Sequence, residues 1–164
     1  MRRIGLYCSL NLAPPWAGPV NSVMNLLQQF EQFYSDFKTA DLAGLENLYV
    51  PAVRFRDPVR EVVGTTQLRR YFSASRKTVE ECRFEFRDRL NDERQCFYEW
   101  RMHYRHPRLA GGQLLTLRGM SHLQFSDGRI VAHEDIYDMG AMVYEHVPVL
   151  RTGVRLLKQR LQEE

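Results

Sequence analysis

Between residues 81 and 137 one pattern recurs that leaves few folds open: apolar side chains alternate with charged ones, and turn-forming residues interrupt them at short intervals. Cys82, Phe84 and Phe86 alternate with Arg83, Glu85 and Arg87, the two-residue period of a half-buried strand. Leu90-Asn91-Asp92-Glu93 reads as a hairpin turn, residues 95–106 as the next strand and 107–112 as a loop. A long strand over 113–125 then meets Ser126-Asp127-Gly128, a strong hairpin signal, and residues 129–137 return antiparallel. Three consecutive hairpin-like connections predict a curved antiparallel sheet with helices on one face.

The helices are legible ahead of the strands. Val23, Leu26, Leu27, Phe30, Phe33, Tyr34 and Phe37 form one apolar stripe at helical spacing over 22–39. Asp41 is placed to cap a short second helix whose Leu42, Leu45 and Leu48 face the core, with Pro51 ending it. Val53 and Phe55 lead into Asp57, and residues 66–79 read as a third helix with Leu68, Tyr71, Phe72 and Val79 inward. Residues 149–162 are helical again, with Leu150, Val154, Leu157 and Leu161 on one side and Arg151, Arg155, Lys158 and Arg160 on the rest. A basic amphipathic helix can lie on a membrane. This stripe has no aromatic anchor, which points instead to docking on its own domain or on a partner subunit.

The 164 residues fit one domain: an irregular extension over 1–20, a folded unit over 21–147 and the C-terminal helix over 148–164. With 23 Lys and Arg against 20 Asp and Glu, the mixed, mildly positive surface does not indicate nucleic acid. Cys8, Cys82 and Cys96 have no paired or zinc-type spacing, which fits a reduced, cytoplasmic protein. Met1-Arg2-Arg3 precedes too short an apolar stretch for a signal peptide, and no segment approaches membrane-spanning length. GxGxxG after a strand, GxxxxGK[ST] and GxSxG are all absent, so nucleotide cofactors and serine hydrolysis are poor candidates.

Phe55-Arg56-Asp57-Pro58 holds the leading candidate for chemistry. Proline favours extended backbone in the residue before it, which fixes Asp57 at a strand end or turn. In an apolar cavity its pKa rises and it can act as a base; in a turn it caps backbone amides. Over 98–106 both strand faces carry chemistry-bearing residues. Glu99, Arg101, His103 and Arg105 share one, and Tyr98, Trp100, Met102, Tyr104 and His106 the other. Either the first face lines a polar cavity, with Arg101 holding an anion or a carboxylate and His103 moving protons, or this is a surface strand with cross-strand ion pairs. The aromatic row is then the surface of a homodimer. On the last strand His133, Asp135 and Tyr137 point one way, into the same cavity or out to water. Asp57, Arg101, His103 and Asp135 are the candidate catalytic set.

The chain resembles the SnoaL-like branch of the nuclear transport factor 2-like superfamily, relatives of which are ketosteroid isomerase and limonene epoxide hydrolase. The resemblance spans about residues 22–147 and rests on Asp41-Leu42-Ala43-Gly44-Leu45, Phe55-Arg56-Asp57-Pro58, Gly64, Trp100, Gly119 to Phe125, Asp127-Gly128-Arg129-Ile130 and Asp135-Ile136-Tyr137-Asp138. It implies an α+β, cone-shaped fold: three N-terminal helices on a strongly curved, mostly antiparallel sheet, usually dimeric, with a pocket inside. The C-terminal helix is extra.

By the same resemblance Asp57 matches the isomerase base, which is a worked case of tuned carboxyls. Phe33 falls where that enzyme has a Tyr, with Tyr34 one position off, and Ser121 falls where it has a protonated Asp. Arg101 and Asp135 match the hydrolase's Arg and one Asp, and His103 stands in for its other Asp. The implied function is a cofactor-independent isomerase, cyclase or epoxide hydrolase acting on a small apolar substrate. The alternative is a non-catalytic ligand-binding or dimerisation domain. Phe33, Tyr34, Phe55, Ser121, His133 and Tyr137 are the expected pocket lining, with no metal and no cofactor.

Overall fold

The computed structural model describes residues 17–161. The expected extension over 1–20 lies outside them, except for residues 17–20, which open the first helix. α1 runs Ala17–Ser35, and a single 3-10 turn at Leu42–Gly44 leads into α2, Leu45–Leu48. The Asp41 carboxylate accepts the Ala43 amide, the capping its position foretold. β1 (Tyr49–Arg56) and β2 (Glu61–Val63) precede α3 (Thr65–Thr78). Four long strands follow: β3 (Glu81–Asn91), β4 (Gln95–Arg105), β5 (Leu114–Ser126) and β6 (Arg129–Tyr137). Short α4 (Met139–Met142) and a turn at Tyr144–His146 lead to α5 (Pro148–Arg160).

The strands form one six-stranded sheet in the order β2-β1-β6-β5-β4-β3. Its consecutive pairs β3–β4, β4–β5 and β5–β6 are antiparallel, as the turn signals require. Asp127 and Gly128 both have positive φ, 51° and 71°, the geometry of the tight turn whose twist matches flanking strands. β1 instead runs parallel to β6, so the sheet is mixed. The strongly curved, cone-shaped sheet implied by the resemblance is corrected here. β2 and β3 stand at the two ends of the order, and the sheet is open rather than strongly curved or closed. Alternation and turn residues specify neighbouring antiparallel pairs. They carry no information on curvature or on a pairing that joins residues 49–56 to 130–134.

Helices α1, α2 and α3 cover one face, and the apolar stripes named above meet the inward residues of the sheet. Leu27, Phe30, Leu45, Leu68, Phe55 and Leu123 are essentially fully buried there. Tyr98, Trp100, Met102 and Tyr104 also point into this core, at 1, 1, 8 and 2 % exposure. The aromatic row of β4 is therefore not the surface of a dimer. Its period was read correctly and its direction was inverted: this row is the one large enough to fill the space beneath α1 and α3.

Candidate functional site

The inverted face decides which candidates meet. Arg101 is exposed on the outer face of β4. His103 lies on that face too, with Nε2 3.2 Å from Glu85 Oε2 and Nδ1 3.1 Å from Thr116 Oγ1. Glu99 pairs with Arg118 there, so this side has the cross-strand ion pairs of a surface strand. Asp57 and Asp135, by contrast, line one cavity of about 410 Å³ between α3, β1, β6 and the inner sheet face. The four candidates are thus not brought together. Two carboxyls share the cavity, and Arg101 and His103 sit outside it.

The cavity wall is largely apolar and aromatic. Tyr34, Phe37, Phe55, Phe72, Phe84 and Trp100 contribute to it, with Met142 of α4. Tyr137 also lines it, while Phe33 does not: its ring packs beneath the Arg76 guanidinium, 5.6 Å from the centroid. Ser121 and His133 are buried behind the wall, at 3 and 1 % exposure.

Asp57 follows β1, where Pro58 ends the extended run. Its Oδ1 accepts the amides of Val59 at 2.9 Å and Arg60 at 2.7 Å, and its Oδ2 accepts the Tyr71 hydroxyl at 2.5 Å. Both sequence readings of this residue are therefore present in one side chain, the turn cap on one oxygen and the cavity on the other. Burial pushes the carboxyl above the ordinary Asp range, against the lowering effect of those three hydrogen bonds; the charge of Asp135 adds a smaller push upward. Tyr71 and Tyr137 are both raised, first by burial and then by Asp57, through its hydrogen bond to Tyr71 and through its charge at Tyr137. These two tyrosines and two carboxyls form one electrostatic unit.

Asp135 is held by a chain of buried groups. Tyr34 and Tyr49 share a hydroxyl contact of 2.9 Å, and Tyr49 lies 2.9 Å from His133 Nδ1. His133 Nε2 is 2.8 Å from Asp135 Oδ1, which also accepts the Ser121 hydroxyl. The Trp100 indole N–H donates to Ser121 Oγ at 2.9 Å. One orientation satisfies every member: hydroxyl protons run from Tyr34 to Tyr49 to His133 Nδ1, and the Nε2–H donates to Asp135. A half-buried carboxyl so supplied with donors on Oδ1 is fixed in direction, and the residue lines the cavity.

Tyr71 and Tyr49 were missed as site residues. Tyr71 reads as one more inward contact at helical spacing, and Tyr49 falls inside the expected second helix, before the Pro51 that ends it. The available signal was their chemistry, since a tyrosine on an inward face needs a partner for its hydroxyl. Tyr71→Phe removes the side-chain donor on Oδ2. The Asp57 pKa is then expected to rise further, measured as a higher NMR titration midpoint than in the parent. Among the described residues no group of three or more His, Cys, Asp or Glu side chains is arranged to hold a metal ion.

Residues 30–133 match the SnoaL-like domain family. The chain belongs to the SnoaL-like family. Solved structures agree on the fold. An NTF2-like protein of unknown function from Burkholderia pseudomallei K96243 superposes with a TM-score of 0.67 at 17% identity, covering 77% of this chain and 98% of that one. A putative SnoaL-like polyketide cyclase from Jannaschia sp. CCS1 gives 0.65 at 11%, covering 75% and 92%. A putative hydroxylase from Streptomyces galilaeus gives 0.61 at 16%, covering 87% and 96%. At such identities the likeness speaks for fold alone. No curated protein matches the chain.

Proposed function

We propose that this SnoaL-like protein performs acid–base catalysis on a small, mostly apolar substrate, with Asp57 as the base. The observation that carries this reading is a carboxyl of raised pKa at the wall of an aromatic cavity. Asp57 Oδ2 accepts the Tyr71 hydroxyl and, as a carboxylate oxygen with two lone pairs, can also take a substrate proton. A substrate carbon acid would lose its proton to Oδ2, and the same carboxyl would return it to another atom of the substrate. The Tyr137 hydroxyl, on the same wall, would donate to the oxygen on which negative charge develops. Asp135 faces the reacting centre as a second carboxyl, and its hydrogen-bonded partners hold it still. This is isomerase or cyclase chemistry. Epoxide opening of the Asp–Arg–Asp kind is disfavoured by the position of Arg101.

The test is turnover of enone and epoxide compounds of a size to fit the cavity, with the wild type and Asp57→Asn compared. Turnover lost in the variant supports the reading. A tightly retained apolar ligand recovered unchanged, with no turnover, supports the alternative of a binding domain, which the preponderance of aromatic lining favours.

The homodimer is also proposed, over a different surface from the one expected. Phe97, Met120 and Ile136 are exposed on the outer sheet face, where Phe97 stacks on His122 at 4.2 Å and Met120 stands opposite Ile136. The ion pairs Glu99–Arg118 and Arg56–Glu134 flank this patch as a polar rim. Sedimentation at micromolar concentration is expected to give twice the 19.4 kDa chain mass, and a monomer there contradicts it.

A further inference from the structure

The domain leaves the apolar stripe of α5 uncovered. Leu150, Leu157 and Leu161 are 48, 62 and 79 % exposed, and Val154 between them is half-buried. At 3.6 residues per turn these four lie in one narrow stripe. The same geometry puts Arg151 and Lys158 along one edge of it and Arg160 along the other. Residues 148–160 include four basic residues and no acid, and Glu163 and Glu164 follow in the sequence. The helix is tied to the domain by the ion pair of Lys158 with Glu145, while Leu150, Leu157 and Leu161 stay exposed. Docking of the stripe on its own domain, one of the two uses its pattern suggested, is therefore not what the structure holds.

We propose that α5 docks the protein on an anionic lipid surface, with the leucines at the acyl boundary and the flanking cations among the headgroups. The charge pattern selects this occupant. Cations bordering both edges of an apolar stripe match a plane of negative headgroups, since long basic side chains extend sideways while their stems cover apolar surface. A second copy of the helix fits badly: two such helices bring like charges together along both edges, and among the described residues only Lys158 of those cations has an acid beside it, Glu145. No helix among the described residues is long and apolar enough to cross a membrane, so the attachment is peripheral. With only aliphatic anchors, burial and charge attraction are both required, and binding is reversible and sensitive to salt.

The test is co-sedimentation of the full chain with vesicles of phosphatidylcholine alone and of phosphatidylcholine mixed with phosphatidylglycerol. Binding to the mixed vesicles at low salt is expected to exceed binding to the neutral ones by about tenfold or more, and to fall comparably in high salt. Leu157→Asp with Leu161→Asp is expected to abolish it without moving the thermal midpoint, because both side chains are already exposed. Equal binding to both vesicle types, or binding that survives the double substitution, overturns the proposal. So does an absence of vesicle binding, whether the stripe then mediates self-association that the double substitution breaks or captures an acidic protein.

Discussion

Asp57→Asn is expected to lower turnover by about 10²- to 10⁴-fold, the usual contribution of a positioned base, while leaving the fold intact. The asparagine keeps a carbonyl oxygen for the Val59 and Arg60 amides, and its NH₂ meets the Tyr71 hydroxyl, which can rotate to accept. It cannot accept the substrate proton. The same variant is expected to be more stable than the wild type at neutral pH. A folded pKa above the unfolded one means that the native state holds the protonated form preferentially. The stabilising contribution is complete below the unfolded value and is lost as pH rises through the folded value. At neutral pH the wild type bears the penalty of a partly buried charge, and the asparagine does not. Activity and stability would then change in opposite directions, as they do where a strained or desolvated group works. Assay of both quantities on one preparation checks the pair.

Gly119→Ala is expected to be the most destabilising of the small substitutions. Gly119 stands opposite Trp100 in the β4–β5 ladder, and a Cβ there would lie 2.1 Å from Trp100 Cη2 and 2.4 Å from Cζ2. The indole is held on most sides and is open only toward the cavity it lines. It is 1 % exposed, its N–H is bonded to Ser121 and its ring meets Phe84 edge-on at 5.1 Å. Overpacking a core costs about 1–3 kcal/mol, and displacing the Trp100–Ser121 bond adds roughly 1 kcal/mol. A loss of about 3 kcal/mol corresponds to a fall of roughly 6–12 °C in Tm for a chain of this size. Gly44→Ala is the control. Its φ of −60° suits any residue and nothing lies within 4 Å of the added carbon, so stability is expected to hold or rise slightly. Through Ser121, the Gly119 change also reaches the carboxylate of Asp135, so any turnover should suffer along with stability.

Local signals were legible and non-local ones were not. The stripe from Val23 to Phe37, the Asp41 cap and the Asp127-Gly128 turn are each decided within a few residues, and each took the conformation its chemistry favours. The helix ends moved by a few residues: α1 stops at Ser35, two residues before Phe37, which still packs in the core from the following turn. The parallel pairing of β1 with β6 and the openness of the sheet depend on contacts across most of the chain. On β4 the two-residue period sorted the side chains into the right two sets. It could not say which set faces inward, because one offered bulk and the other charge. That ambiguity placed Arg101 and His103 in the cavity when the core needed Trp100 and Tyr104. Asp57 and Asp135 were found because both follow from inward positions on strands fixed by a proline or a hairpin. The buried chain from Tyr34 to Asp135 joins three separate elements, α1, β1 and β6, and no spacing along the sequence announces it.

Asp57 is proposed as a desolvated base and not merely a turn cap. Carbon-detected NMR titration of its carboxyl separates the two roles, because they shift the midpoint in opposite directions. The expected midpoint lies above the Asp reference of about 3.9 and moves higher still in Tyr71→Phe. A midpoint below the reference would mean that the amides of Val59 and Arg60 outweigh burial, and would contradict the role of base.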